Sequence, residues 1–244
     1  MSPRFRRRRP TPPKTRSEPA LYGTFGARLQ ILAAALLAAA LLSSPARAAE
    51  DGGAVKLVAF GDSLSAGYNL PAEEAFPAVL EAALRKEGYH VDVTNAGVSG
   101  DTASDGLARV GWSLADGADA VILELGANDM LRGLDPEVAR GALDAILQEL
   151  RTRKIPVLIA GMKATPSLGK EFKERFDPIF PQLAEKYDAL LYPFFLDGVM
   201  GDPSLTLKDG VHPNKAGVER IVAGILPSVR ALLDRLGQKA ATTR

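Results

Sequence analysis

The sequence predicts an α/β protein, a single three-layer α/β/α domain built around a five-stranded parallel sheet. Three observations predict it. Short apolar, β-favouring runs alternate with amphipathic runs of helical period along residues 55–236. Each apolar run is short enough to be a parallel strand buried on both faces. No internal repeat or second domain interrupts the alternation.

The strands are predicted at 56–60, 90–94, 120–124, 156–161 and 189–192. Between them, 74–86 carries Ala75, Val79, Leu80 and Ala83 at helical spacing, 103–114 carries Leu107, Val110 and Leu114, and 138–150 carries Leu143, Ile146, Leu147 and Leu150. Asp135 followed by Pro136 is a helix cap with proline at the first helical position. A fourth helical region, 172–186, is interrupted near Pro178 and Pro181. The last, 215–236, follows the capping residue Asn214 and is expected to kink or split at Pro227. Trp112, the single tryptophan, lies on a helical face and is read as a packing residue.

The chain has 244 residues, 46% hydrophobic and 24% charged, enough to bury a full core. Charge is uneven: residues 1–48 hold nine Lys/Arg and one acid, leaving 21 bases against 28 acids in residues 49–244. A mildly acidic domain behind a basic leader offers no nucleic-acid surface. The leader runs from RFRRRRP through an apolar stretch of twelve residues, 31–42, to Ala46-Arg47-Ala48, a small-x-small cleavage site. Twelve apolar residues fall short of the roughly 20 that span a bilayer. Residues 1–48 are therefore expected to be a signal peptide with a basic n-region, 49–54 a linker, 55–236 the domain and 237–244 a tail. The product is expected to be periplasmic or secreted, with no stable membrane span after cleavage, and a monomer. With no cysteine there are no disulfides, zinc thiolates or thiol nucleophiles.

Four segments rich in Gly, Ser, Asn and Asp fall where such a sheet presents its ligand-binding edge: GDSLSAGY, NAGVSGDT, LGANDML and KDGVHPN. The last contains His212, one of only two histidines, three residues after Asp209. Acyl transfer needs a hydroxyl nucleophile, an imidazole to take its proton, a carboxylate to orient the imidazole, and donors for the oxyanion. Ser63, His212 and Asp209 supply the first three if 209–212 form a turn; the Asn128 amide and the backbone N–H groups at Gly97 and Gly100 are candidate donors. Each has a plainer reading: Ser63 as a capping serine, His212 as a solvated turn residue, Asn128 as a turn amide. Asp62 and Asp129 are read as loop braces and Asp101 as a helix cap. The other histidine, His90, has no acid near it in sequence. Met130, Leu131 and Leu134, with 162–168, could line an acyl pocket or fold onto the core. The G-x-S-x-G elbow is absent around Ser63, and no GxxxxGK[ST], GxGxxG or HExxH occurs.

In this order the blocks GDSLSAGY, SGDT, GAND and DGVHPN resemble those of the GDSL, or SGNH, hydrolase family, and the surrounding residues are most similar to its bacterial exported thioesterase/lysophospholipase/arylesterase branch. The resemblance covers nearly all of 55–232. It implies a flavodoxin-like sheet, a nucleophile at Ser63, triad partners at Asp209 and His212, and an oxyanion hole from the N–H groups of Ser63 and Gly100 and the side chain of Asn128. It implies substrate contacts at Met130, Leu131 and Leu134, small-molecule ester or lipid substrates, and no metal or organic cofactor. Many relatives read GGND where this chain has Ala127, which is harmless if that residue has a negative φ. Carbohydrate O-deacetylation ranks behind ester hydrolysis because the segment after Asn128 is apolar; a non-catalytic flavodoxin-like binding module is the reading from another class.

Overall fold

A computed structural model describes residues 53–238 and 240. The expected leader, 1–48, and the start of the linker lie outside the described residues. The strands are β1 (Val55–Gly61), β2 (Val91–Gly97), β3 (Ala120–Glu124), β4 (Val157–Ala160) and β5 (Leu190–Tyr192), all parallel, in the order β2-β1-β3-β4-β5. Every residue of β3 and β4 is buried, whereas the edge strands β2 and β5 are only partly covered. That is the pattern of a sheet with helices on both faces.

The α-helices are α1 (Ser63–Ala66), α2 (Phe76–Lys86), α3 (Ala103–Ser113), α4 (Ala127–Leu131), α5 (Pro136–Thr152), α6 (Gly169–Phe176), α7 (Ile179–Tyr187) and α8 (Lys215–Arg235). α2 packs on α8, and α3 on α5, which also meets α7. Each layer presses an apolar stripe onto the sheet: Leu80 and Leu84 from α2, Ile146 and Leu150 from α5, Ile221 and Val229 from α8 are all fully buried. Each such side chain contributes about 1.5–3 kcal/mol by leaving water. Among the described residues no helix is long and apolar enough to cross a membrane.

The chain departs from β1 to β2 on one side and returns to β3 on the other, so β1 lies at the switch point where an open α/β sheet leaves a crevice. Register levels the ends of these strands: Gly61 pairs with both Gly97 and Glu124. The loops that follow therefore start side by side.

Several elements differ from expectation. β2 continues to Gly97, because pairing with β1 extends through residues whose composition reads as loop. Two short helices, α1 and α4, occupy segments read as loops. The region 172–186 is two helices divided at Asp177-Pro178, and Pro181 fits in the first turn of α7, where no intrahelical acceptor awaits its missing N–H. α8 runs unbroken through Pro227, held by Ile221, Val222, Ile225, Val229, Leu232 and Leu233 buried on both sides of it. Trp112 does not pack: it is 79% exposed, on the face of α3 opposite the buried Gly106 and Val110. Asp101 is not a cap; Thr102 caps α3 in a reciprocal capping box with Asp105.

Candidate active site

Ser63 opens α1 directly after β1. Asp62 caps that turn, its Oδ1 accepting from the Leu64 N–H at 3.0 Å. The turn is closed by the Ser63 carbonyl, which accepts from the N–H groups of Gly67 and Tyr68 at 3.2 and 3.1 Å. The serine side chain is thereby aimed at the crevice while the residue remains only 9% exposed.

The segment before α8 brings its imidazole to this hydroxyl from 149 residues away in sequence. Asp209 Oδ1 accepts from the N–H groups of Val211 and His212 at 2.9 and 3.0 Å, folding 209–212 into a tight turn. Its Oδ2 lies 2.8 Å from His212 Nδ1, and His212 Nε2 lies 2.9 Å from Ser63 Oγ. With the proton on Nδ1, Nε2 is the acceptor for the serine hydroxyl. Burial alone would raise the Asp209 carboxyl, but the two N–H groups and the His212 ring outweigh it and hold the carboxyl below the usual range. Asn214 fixes the segment to the helix, accepting from Gly217 N–H at 3.0 Å and donating to the carbonyls of Ser204 and Thr206. His90, by contrast, is exposed at the opposite end of the sheet, just before β2.

Gly100 adopts φ +91°, a left-handed conformation that favours glycine, and its carbonyl accepts from Arg132. Among the described residues neither Gly100 N–H nor Ser63 N–H has an acceptor. Gly97 does not offer a free donor, because its N–H is given to Asn95 Oδ1 at 3.0 Å. Asn128 sits in the first turn of α4, and its Nδ2 donates to Asp62 Oδ2 and to the Asp101 carbonyl, both at 3.0 Å. Ala127 is helical with an ordinary negative φ, so alanine fits there as expected. Asp129 braces the loops as expected, accepting from Ala103 N–H at 2.8 Å.

A cavity of about 440 Å³ opens onto Ser63, Asn128 and His212, a size typical of small-molecule sites. Its walls are apolar, with Met130, Leu131, Met162, Phe194, Leu196 and Met200 prominent; Ala164, Thr165 and Pro166 from the segment after β4 join them. Leu134 does not line it. Its N–H turns back onto the Asp129 carbonyl at 2.9 Å, three residues past the end of α4.

Three neighbours of the site were not singled out from sequence. Glu124, at the end of β3, is fully buried; its Oε2 accepts from Ser65 Oγ at 2.8 Å and from Asp62 N–H at 3.3 Å, while Oε1 has no partner among the described residues. Burial, then the nearby Asp62 charge, pushes its pKa well above the usual range, and burial raises Asp62 itself to about 6. Arg109 stacks on Phe60 and ties Asp101 to the carbonyls of Gly61 and Ala96. Tyr68 packs on the His212 ring. An acid ending an apolar run, and an aromatic closing the Ser63 block, were the only sequence signals for the first and last of these.

Comparison with known proteins agrees with this architecture. The family described as GDSL-like lipase/acylhydrolase matches residues 59–220. An arylesterase from Vibrio mimicus is 39% identical over 173 residues, covering 70% of this chain and 84% of that protein. The thioesterase 1/protease 1/lysophospholipase L1 of Escherichia coli K12 is 38% identical over 160 residues, covering 65% and 76%. The crystal structure of the esterase AlinE4, described as an SGNH-hydrolase family esterase, superposes with a TM-score of 0.63 at 50% identity, covering 75% of this chain and 98% of that one.

Proposed function

The chain belongs to the GDSL-like lipase/acylhydrolase family, and from that premise we propose that it is an exported serine hydrolase of carboxylic esters. Ser63 is the nucleophile, His212 its base, and Asp209 the group that orients the base. The observation that carries the reading is the continuous chain of short contacts from Asp209 Oδ2 through the imidazole to Ser63 Oγ, at the mouth of an apolar cavity.

In the first step Ser63 Oγ attacks the acyl carbonyl as its proton passes to His212 Nε2, and Asp209 stabilises the resulting imidazolium. The carbonyl oxygen becomes an oxyanion facing the N–H groups of Ser63 and Gly100. Asn128 adds a third donor by sharing one of the hydrogens it now gives to Asp62 and Asp101. Collapse expels the alcohol, which takes the proton from Nε2. Water then repeats the cycle against the acyl-serine and releases the acid. The apolar walls favour aryl and acyl esters, lysophospholipids among them, with acyl thioesters a chemically equivalent class that an exported enzyme seldom meets.

A fluorophosphonate probe tests this. One adduct is expected, on Ser63, absent in Ser63→Ala and much slowed in His212→Ala. Intact protein that takes no label would instead favour a binding module. Chromogenic esters of increasing acyl length, run beside one thioester and one lysophospholipid, assign the substrate class. Mass spectrometry of the mature N-terminus tests cleavage after Ala48.

A further inference from the structure

The His212 ring has a third contact besides its two hydrogen bonds. The Tyr68 ring centroid lies 4.4 Å from that of His212, with the planes 33° apart. Tyr68 is 42% exposed and does not line the acyl cavity, although His212 does. The turn that presents Ser63 also presents Tyr68, whose N–H donates to the Ser63 carbonyl at 3.1 Å. Nucleophile and aromatic ring are thus delivered by one unit, and the imidazole arrives between them from a distant segment.

Two hydrogen bonds, at Nδ1 and Nε2, define an axis about which an imidazole can still rock. A ring packed on one face removes that freedom. The same face carries the negative side of the aromatic quadrupole, which attracts a cation more strongly than it does a neutral ring. In acyl transfer His212 becomes a cation as it takes the Ser63 proton. Such a contact strengthens on the way to the transition state, so it acts on kcat rather than on substrate binding.

We propose that Tyr68 is a positioning residue for the acyl-transfer step, holding the His212 imidazole toward Ser63 and stabilising its imidazolium through the ring face; this rests on the reading of Ser63 and His212 given above. The hydroxyl of Tyr68 has no part in it. Tyr68→Phe is therefore expected to keep at least half the wild-type kcat. Tyr68→Leu is expected to lose about 3- to 10-fold in kcat, and as much in the rate of fluorophosphonate labelling, with KM little changed. Rates are taken per labelled site after exhaustive reaction, so a misfolded fraction does not count.

Equal labelling rates for Tyr68→Leu and wild type would overturn the proposal. So would a loss confined to KM, which makes Tyr68 a substrate contact, or a Tyr68→Phe variant as slow as Tyr68→Leu, which assigns the effect to the hydroxyl. If Tyr68→Leu does not fold, Tyr68→Phe and Tyr68→Trp decide: both retain a ring face, and a large kcat loss in both rejects it. Wild-type protein that takes no label on Ser63 overturns the reading of the site itself, a result distinct from all of these.

Discussion

Asn128 donates to the Asp62 carboxyl at 3.0 Å through the same nitrogen that donates to the Asp101 carbonyl. The capping residue of the Ser63 turn and the amide that borders it are thereby joined. In the proposed role of oxyanion donor, Asn128 would share a hydrogen already in use. Asn128→Ala is expected to lower kcat by about 10²- to 10³-fold, the usual loss for one oxyanion donor, with KM little changed. Steady-state kinetics on a chromogenic ester checks this.

Asp62 also sets a pH dependence of stability. Burial raises its pKa from 3.8 to about 6, and the hydrogen bonds from Leu64 and Asn128 offset that only in part. The native chain therefore holds this proton more tightly than the unfolded chain does. The contribution is fully present below about pH 4 and is lost as the pH rises through about 6, an effect of roughly 2–3 kcal/mol. Carboxyls held low, such as Asp209 and Asp202, act with the opposite sign, and in the window below pH 4. Asp62→Asn should reduce the fall in urea midpoint between pH 4 and pH 6.

Glu124 offers its Oε2 to two donors under α1. Removing it leaves the Ser65 hydroxyl and the Asp62 N–H unpaired beside a cavity. Glu124→Ala is expected to cost about 3–4 kcal/mol. Glu124→Gln keeps the acceptor and the volume, and should cost less than about 1.5 kcal/mol. Urea unfolding of the two variants checks the difference.

Gly217 lies in α8 against the segment that carries His212. A Cβ there would sit 2.1 Å from the Leu205 carbonyl oxygen and 2.9 Å from Pro213 Cβ. Gly217→Ala should push that segment off the helix, lowering kcat about 10- to 100-fold and stability by about 1–3 kcal/mol. Gly141, inside α5, has nothing within 4 Å of the same position. Gly141→Ala should add about 0.5–1 kcal/mol without touching the rate. Thermal melts and kinetics of the pair test both.

Short continuous apolar runs made the central strands legible in sequence, because burial on both faces leaves no polar alternation, and the helical period of the apolar stripe made the longer helices legible. The turns α1 and α4 were not legible: four or five residues contain no period. Asp62 and Asn128 read as loop residues for that reason. The Gly97 N–H reads as a free donor in sequence because nothing local shows that the Asn95 side chain, two residues back, turns to accept it. The residues 63, 209 and 212 could be named from spacing and resemblance, but the 2.9 Å approach of Ser63 to His212 depends on strand order, which no local pattern encodes. Glu124 and Tyr68 were hidden for a related reason. An acid ending AVILE looks like a strand stepping into solvent, and only the fold turns its carboxyl under α1.

Met130, Met162 and Met200 are all of the chain's methionines apart from Met1, and each lines the cavity beside Ser63, the proposed acyl site. Unbranched thioethers have three rotatable bonds and soft, polarisable sulfur, so they settle around guests of unequal girth where branched side chains would clash. A wall of this kind is compliant. Turnover should then decline gradually along a homologous series of acyl groups, with no sharp cutoff at one length, and a single truncation in the lining should be absorbed by its neighbours.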